Sequence, residues 1–83
     1  MHQELISFTE SLVKPLVKEP DLVVVKEFGG DDEEILLEII VHESDMGVII
    51  GRGGKMANSL RTVIQAYAYI HKLNRIKINI DSF

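Results

Sequence analysis

Eighty-three residues, 46% of them hydrophobic and none of them cysteine, make one small domain with no disulfide and no thiolate metal site. A formal net charge of −4 argues at first against a polyanionic partner. No run approaches the ~20 apolar residues of a membrane span, and the N-terminus lacks the basic start and apolar core of a signal peptide, so a cytoplasmic protein without membrane contact is expected.

Residues 3–18 place Leu5, Phe8, Leu12 and Leu16 at helical spacing, with Ile6, Val13 and Val17 alongside. Pro15 removes one backbone donor inside this pattern and is expected to kink the helix or restart it as a final turn. Pro20-Asp21 marks a turn. Leu22 to Phe28 is short and rich in β-branched residues, which predicts a strand, and Ile35 to His42 predicts a second one paired with it as a hairpin. Between them, Gly29-Gly30-Asp31-Asp32 reads as a loop. The acidic run Asp31–Glu34 lacks the ligand spacing and closing glutamate of a calcium loop and reads as a solvated tip.

Alternation decides which strand residues face the helices. With Ile35, Leu37, Ile39 and Val41 inward, Leu36 and Ile40 face outward; with Val23 and Val25 inward, so do Leu22, Val24 and Phe28. Apolar side chains gathered on an open sheet face predict a protein contact, unless the register slips by one or the long helix covers them.

Ser44 stands where it can cap a short helix from Asp45 to Ile50, and Gly51 suits the left-handed position that ends one. A longer helix follows from about Lys55 to Leu73. Met56, Leu60, Val63, Tyr67 and Ile70 form its stripe, flanked by Ala57, Ile64 and Ala68. Gln65 and Tyr69 fall off that stripe, which leaves pairing through this helix open. Asn74 is the expected stop. Arg75 to Asp81 alternates isoleucine with polar residues and reads as a strand. The order α-β-β-α-α-β gives an α+β domain: a three-stranded mixed sheet with helices on one face. The helical pair makes the second and third strands parallel.

Charge is divided along the chain. Residues 1–46 carry twelve Asp/Glu and three Lys/Arg, whereas residues 47–80 carry six Lys/Arg and no acid. This predicts one acidic and one basic face, the second being the usual footprint of a nucleic-acid binder. The basic half contains Gly51-Arg52-Gly53-Gly54, set between Val48-Ile49-Ile50 and the helix that opens at Lys55. Glycine has no Cβ, so such a turn takes unusual dihedrals and lets a phosphate approach the backbone. The helix that follows adds unpaired N–H groups and a favourable dipole, and Arg52 and Lys55 add positive charge.

Val48 to Lys55, with a helix on each side and strands flanking the pair, resembles the KH domain, and the leading helix and strand match its type II, prokaryotic arrangement. Leu12-Val13-Lys14-Pro15-Leu16-Val17 followed by Pro20-Asp21, and Gly51-Arg52-Gly53-Gly54-Lys55 followed by Leu60-Arg61-Thr62-Val63, are similar to the small stand-alone bacterial KH proteins of the KhpA (YlqC) family. The likeness covers essentially the whole chain, residues 1–83, as one KH domain. It implies non-catalytic binding of single-stranded RNA, about four nucleotides at a time, with the glycine loop on the RNA backbone.

Carried over residue by residue, Gly51, Arg52, Gly53, Gly54 and Lys55 would clamp that backbone. Gly53, where a second basic side chain often sits, adds no charge, and Lys55 is expected to compensate. Val48, Ile49, Ala57, Leu60 and Arg61 would line the base groove, with Ile39 or Val41 from the strand. Arg61, Lys72, Arg75 and Lys77 would extend phosphate contact, although the last three read equally well as solvated surface cations. Few phosphates and no aromatic ring beside the loop imply weak affinity, which favours a second module. The resemblance further implies a homodimer, a heterodimer with a larger Jag-type KH protein, or both, acting as an RNA chaperone in post-transcriptional control of bacterial growth, cell shape and division. It implies neither metal nor cofactor.

Enzymatic readings fit poorly. Counting back from Gly54-Lys55, a P-loop needs glycine at Ile49 and Ser/Thr at Met56. A dinucleotide fingerprint needs its last glycine at Met56 and a strand leading into the turn. His2, His42 and His71 stand apart from one another, and nothing forces Glu38, Glu43 and Asp45 into a carboxylate pair. Two alternatives remain: a protein-interaction adaptor that keeps a KH shape with little RNA affinity, and binding of DNA, since the choice of RNA over DNA rests on the family resemblance.

Overall fold

Strand β2 (Ile35–Val41) carries an aliphatic side chain at every second position, and Ile35, Leu37, Ile39 and Val41 are all fully buried. It is the central strand of the sheet. Strand β1 (Val24–Gly29) pairs with it antiparallel and strand β3 (Ile76–Ser82) pairs with it parallel. The computed structural model describes residues 3–29, 34–73 and 75–83. The expected stop at Asn74 and most of the acidic tip at Asp31–Glu34 lie outside those residues.

Three helices cover one face of this sheet: α1 (Gln3–Val13), α2 (Met46–Ile50) and α3 (Lys55–Ile70). Leu5, Ile6 and Val13 of α1 share one core with Ile49 of α2, Leu60, Ile64 and Ala68 of α3, and the inward residues of the strands. The α+β architecture with a mixed sheet is therefore as the sequence implies. Pro15 restarts the chain as a 3-10 turn over Lys14–Leu16 directly after α1, because its ring cannot sit inside a continuing α-helix. Phe8 of α1 stacks on Tyr67 of α3 at 4.3 Å between ring centroids, and Tyr67 in turn meets His71 at 4.2 Å. This ring ladder ties the two longer helices together.

Several boundaries differ from the sequence reading. β1 starts at Val24, not Leu22, because Pro20–Leu22 close a 3-10 turn in which the Leu22 and Val23 amides donate to Glu19 and Pro20 carbonyls. α3 ends at Ile70, three residues short of Leu73. Its buried stripe is Ala57, Leu60, Ile64 and Ala68; Val63 and Ile70 are exposed. The stripe thus runs about one residue off the expected one, with Leu60 and the fully buried Ile64 at its middle and a buried alanine at either end.

Ser44 does not cap α2. It lies inside a 3-10 turn over Glu43–Asp45 that His42 caps, its Nδ1 accepting from the Ser44 amide at 3.1 Å, and the N-cap position of α2 itself falls to Asp45, whose side chain makes no cap bond. Asp45 does a different task. It is 1% exposed, and its carboxylate accepts from the backbone N–H groups of Lys18 and Glu19 at 3.0 and 3.1 Å. These bonds fasten the segment after α1 to the entry of α2, and each amide is left without its acceptor if the carboxylate is removed. Asp45→Ala is expected to cost roughly 1.5–3 kcal/mol and to lower Tm by about 10 °C, read by thermal and urea denaturation.

Candidate nucleic-acid interface

The turn between α2 and α3 is built by glycine dihedrals. The Gly51 amide closes α2 on the Gly47 carbonyl at 2.9 Å. Gly51 then takes φ 76°, ψ 174°, a positive-φ conformation outside the left-handed helical region expected of it. Arg52–Gly54 form a single 3-10 turn, with Gly53 at φ 62°, ψ 20° and Gly54 at φ 81°, ψ 10°, and α3 begins at Lys55. The Gly54 amide donates to the Gly51 carbonyl at 3.2 Å, which closes the turn on itself.

The glycines serve different needs. A Cβ on Gly51 would stand 2.7 Å from the Met56 Cβ and 2.8 Å from the Met56 amide nitrogen, so the turn and the first residues of α3 touch backbone to backbone. A Cβ on Gly53 or Gly54 would meet no described atom within 4 Å; there only the dihedral requires glycine. Gly53 and the side chains of Arg52 and Lys55 are exposed, while Gly51 and Gly54 are half-buried. The turn is a bare, outward-facing stretch of backbone with a cation on either side of its paired glycines.

The other sequence-derived candidates divide into surface and support. Val48 is 46% exposed beside the turn, and Arg61 is half-buried, with its guanidinium donating to Asn58 Oδ1 at 3.3 Å. Ile49, Ala57 and Leu60 are buried at 0, 3 and 5% exposure, so they form the packed wall between α2 and α3 and not an open floor. Ile39 and Val41 are fully buried in the core and present nothing to a ligand. The cations do not form one continuous face. Arg52 and Lys55 stand at the start of α3 and Arg61 about 9 Å further along it, whereas Lys72 and Arg75 lie past the other end of this 16-residue helix, about 24 Å away. Lys77 alternates with buried Ile76 and Ile78, which turns it to the helix-free side of the sheet.

Gly47 was not singled out by sequence. It has no positive φ, and a Cβ there would meet no described atom within 4 Å. It is therefore the one glycine of this region that neither dihedral nor packing explains. A glycine inside a short helical pattern is the signal that marks it. Among the described residues no group of three or more His, Asp or Glu is placed to hold a metal ion. Glu38 and Asp45 do not approach as a pair: Glu38 projects from the helix-free sheet face and accepts from Asn79 Nδ2 at 3.3 Å, while Asp45 is committed to backbone amides. Gly51→Ala is expected to destabilise the fold by about 1–3 kcal/mol, more than Gly54→Ala, in equilibrium urea unfolding.

Comparison with known proteins gives a consistent result. The profile of the KhpA/KhpB KH-domain family matches residues 6–80. The chain is 46% identical to the RNA-binding protein KhpA of Clostridium acetobutylicum over 71% of this chain and 77% of that protein. It is 38% identical to the protein of the same name from Bacillus subtilis over 77% of this chain and 78% of that one. With Halalkalibacterium halodurans KhpA it shares 36% identity over 89% of this chain and 95% of that protein. Among solved structures, Aquifex aeolicus Era bound to GDP.AlF4- superposes with a TM-score of 0.72 at 17% identity, covering 96% of this chain and 31% of that one. Era in complex with MgGDPNP and nucleotides 1506–1542 of 16S ribosomal RNA gives 0.70 at 17% identity, over 94% of this chain and 29% of that one. The Era likeness concerns the fold, and the profile together with the relatives fixes the lineage: this chain belongs to the KhpA/KhpB family of KH-domain proteins.

Proposed function

We propose that this protein binds single-stranded RNA without catalysis, clamping the sugar-phosphate backbone with the Gly51–Gly54 turn. The observation that carries this reading is the turn itself: exposed, free of side-chain bulk at Gly53 and Gly54, flanked by Arg52 and Lys55, and set at the start of a 16-residue helix. The Gly51, Gly54 and Lys55 amides already donate within the chain, so N–H groups of the exposed Arg52–Gly53 backbone would meet the phosphate oxygens, and the two cations favour the same charge. The relatives named as RNA-binding proteins support the choice of ligand. Bases would then lie over Val48 and the exposed side of α2, backed by the packed wall of Ile49, Ala57 and Leu60, with Arg61 at the margin.

Gly47 belongs in this reading. It lies one helical turn, about 5.4 Å, before Gly51 on the same side of α2, where a nucleotide following the clamped phosphate would rest. Glycine in a helix costs roughly 0.5–1 kcal/mol relative to alanine, and here nothing described within the chain requires it. A base or ribose lying against bare backbone does. By the same reading the protein works in the bacterial cytoplasm in post-transcriptional control of growth and division, as a homodimer or beside a larger Jag-type KH protein. Among the described residues no helix is long and apolar enough to cross a membrane.

Fluorescence anisotropy with a labelled pool of short single-stranded RNAs tests the reading. Arg52→Asp with Gly53→Asp is expected to abolish binding while the circular dichroism spectrum stays native, because aspartate tolerates the left-handed dihedrals of Gly53. Equal binding by parent and double variant would leave the adaptor reading standing. The salt dependence is expected to be shallow, with a log–log slope no steeper than about −3 for the roughly four nucleotides held. Gly47→Ala is expected to weaken binding by up to about tenfold while leaving stability unchanged or raising it by about 0.4–1 kcal/mol, a combination that a merely structural glycine does not give.

A further inference from the structure

Where the chain leaves α3 and returns as β3, the two elements border a cavity of about 240 Å³ lined by Gln65, Ala68, Tyr69, Leu73, Arg75 and Ile76. Its floor is apolar: Ala68 and Ile76 are buried and Leu73 is half-buried. Its rim is polar. Tyr69 is 85% exposed, and Gln65 and Arg75 are exposed with it. The volume falls below the ~300–1,000 Å³ of sites for drug-sized ligands, so a single flat ring is the size of group it takes.

The rim decides which ring. Tyr67, the other tyrosine of α3, is committed to Phe8 and His71, whereas Tyr69 leaves its ring in water. The Gln65 amide carries both donor and acceptor, and its bond to the Ile76 carbonyl, at 3.5 Å, is long enough to give way to a base edge. Arg75 is the charged residue of the lining, in a stretch, residues 47–80, that contains no Asp or Glu. A ring face, an amide and a guanidinium at one opening match the three parts of a nucleotide: base face, base edge and phosphate.

One flank of α3 connects this cavity to the glycine turn. Lys55, Asn58, Thr62, Gln65 and Tyr69 recur three and four residues apart, so they line up along the helix, and all five are exposed. Tyr69 follows Lys55 by 14 residues, about 21 Å of helix. A single strand covers that distance in at most about six nucleotides, the number at the stacked spacing of about 3.4 Å.

We propose that the cavity is a second nucleotide subsite, in which one base of a single strand leaving the glycine turn stacks on Tyr69, sets its edge against Gln65 and places its phosphate by Arg75. It rests on the turn's role as a backbone clamp, and it lengthens the bound strand from about four nucleotides to about eight to ten. Stacking tolerates any base, so the subsite adds affinity without selecting a sequence.

Amide-shift titrations with a tetranucleotide and a dodecanucleotide of mixed-sequence single-stranded RNA test it. A tetranucleotide held at the turn is too short to reach the cavity. In the parent, the Tyr69 amide is expected to shift with the dodecanucleotide and to stay in place with the tetranucleotide. Tyr69→Leu removes the ring at an exposed position and keeps a good helix former. It is expected to weaken dodecanucleotide binding by about fivefold or more and to leave the tetranucleotide within about twofold of the parent. Tyr69→Phe, which keeps the ring face, is expected to bind the dodecanucleotide like the parent, and Arg75→Gln to weaken the dodecanucleotide alone. Equal dodecanucleotide affinity for the parent and Tyr69→Leu, or equal losses with both RNAs, would overturn the subsite. The clamp is read separately through Arg52→Asp with Gly53→Asp. Loss of binding there beside no effect of Tyr69→Leu sinks the subsite alone; loss with Tyr69→Leu and none with the double variant sinks the clamp.

Discussion

The chain reverses from α2 into α3 through three glycines at positive φ, and most of what this molecule offers a ligand follows from that reversal. Any Cβ at Gly51 would collide with Met56, so the two helices can meet this closely only with hydrogen at that position. Ile49 and Leu60 share the core behind the turn, and Ala57 is buried at the start of α3. The Gly51, Gly54 and Lys55 amides are engaged within the chain, so what the turn leaves at the surface for an anion is the exposed backbone of Arg52 and Gly53. Stability and site are thus joined: the residues that hold the turn in place are core residues, and those that would touch a ligand are backbone atoms.

Beneath the turn, the fold rests on β2. Its four inward side chains are fully buried, and it is the strand to which both others pair. Asp45 links this framework to the site, since its carboxylate holds the Lys18 and Glu19 amides at the point where the chain enters α2. A buried carboxylate satisfied by backbone donors fixes geometry more tightly than an apolar residue of the same size would, because losing it strands its partners.

Much of this was legible in the residues. The period-two alternation of Ile35–Val41 gives β2 and its inward face directly, and the helical connection gives the parallel partner β3. The glycine turn is legible because glycine is the residue its dihedrals demand. What escaped depends on tertiary context. Ser44 misses the start of α2 because a 3-10 turn capped by His42 intervenes, and Asp45 takes the N-cap position. The buried stripe of α3 runs from Ala57 through Leu60 and Ile64 to Ala68, and which flank of the helix is buried depends on what packs against it. The division of charge along the chain did not become a division into two faces, since strand alternation sends Lys77 away from the helices and the length of α3 separates Lys72 and Arg75 from Arg52. Gly47 is visible as a letter but acquires meaning only when the space around it is known to be empty of described atoms.

The turn and the helix-free sheet face lie on different layers of one small domain. The central claim remains the grip of backbone amides on phosphate. Titration of a short single-stranded RNA into isotopically labelled protein, followed by amide chemical shifts, tests it most directly. The account predicts the largest shifts at Gly51, Arg52, Gly53, Gly54 and Lys55, with Gly47 next, and little change at Val24, Lys26, Glu38 or Ile40. Shifts centred on the sheet face, or none at the glycine turn while RNA binds, would contradict it.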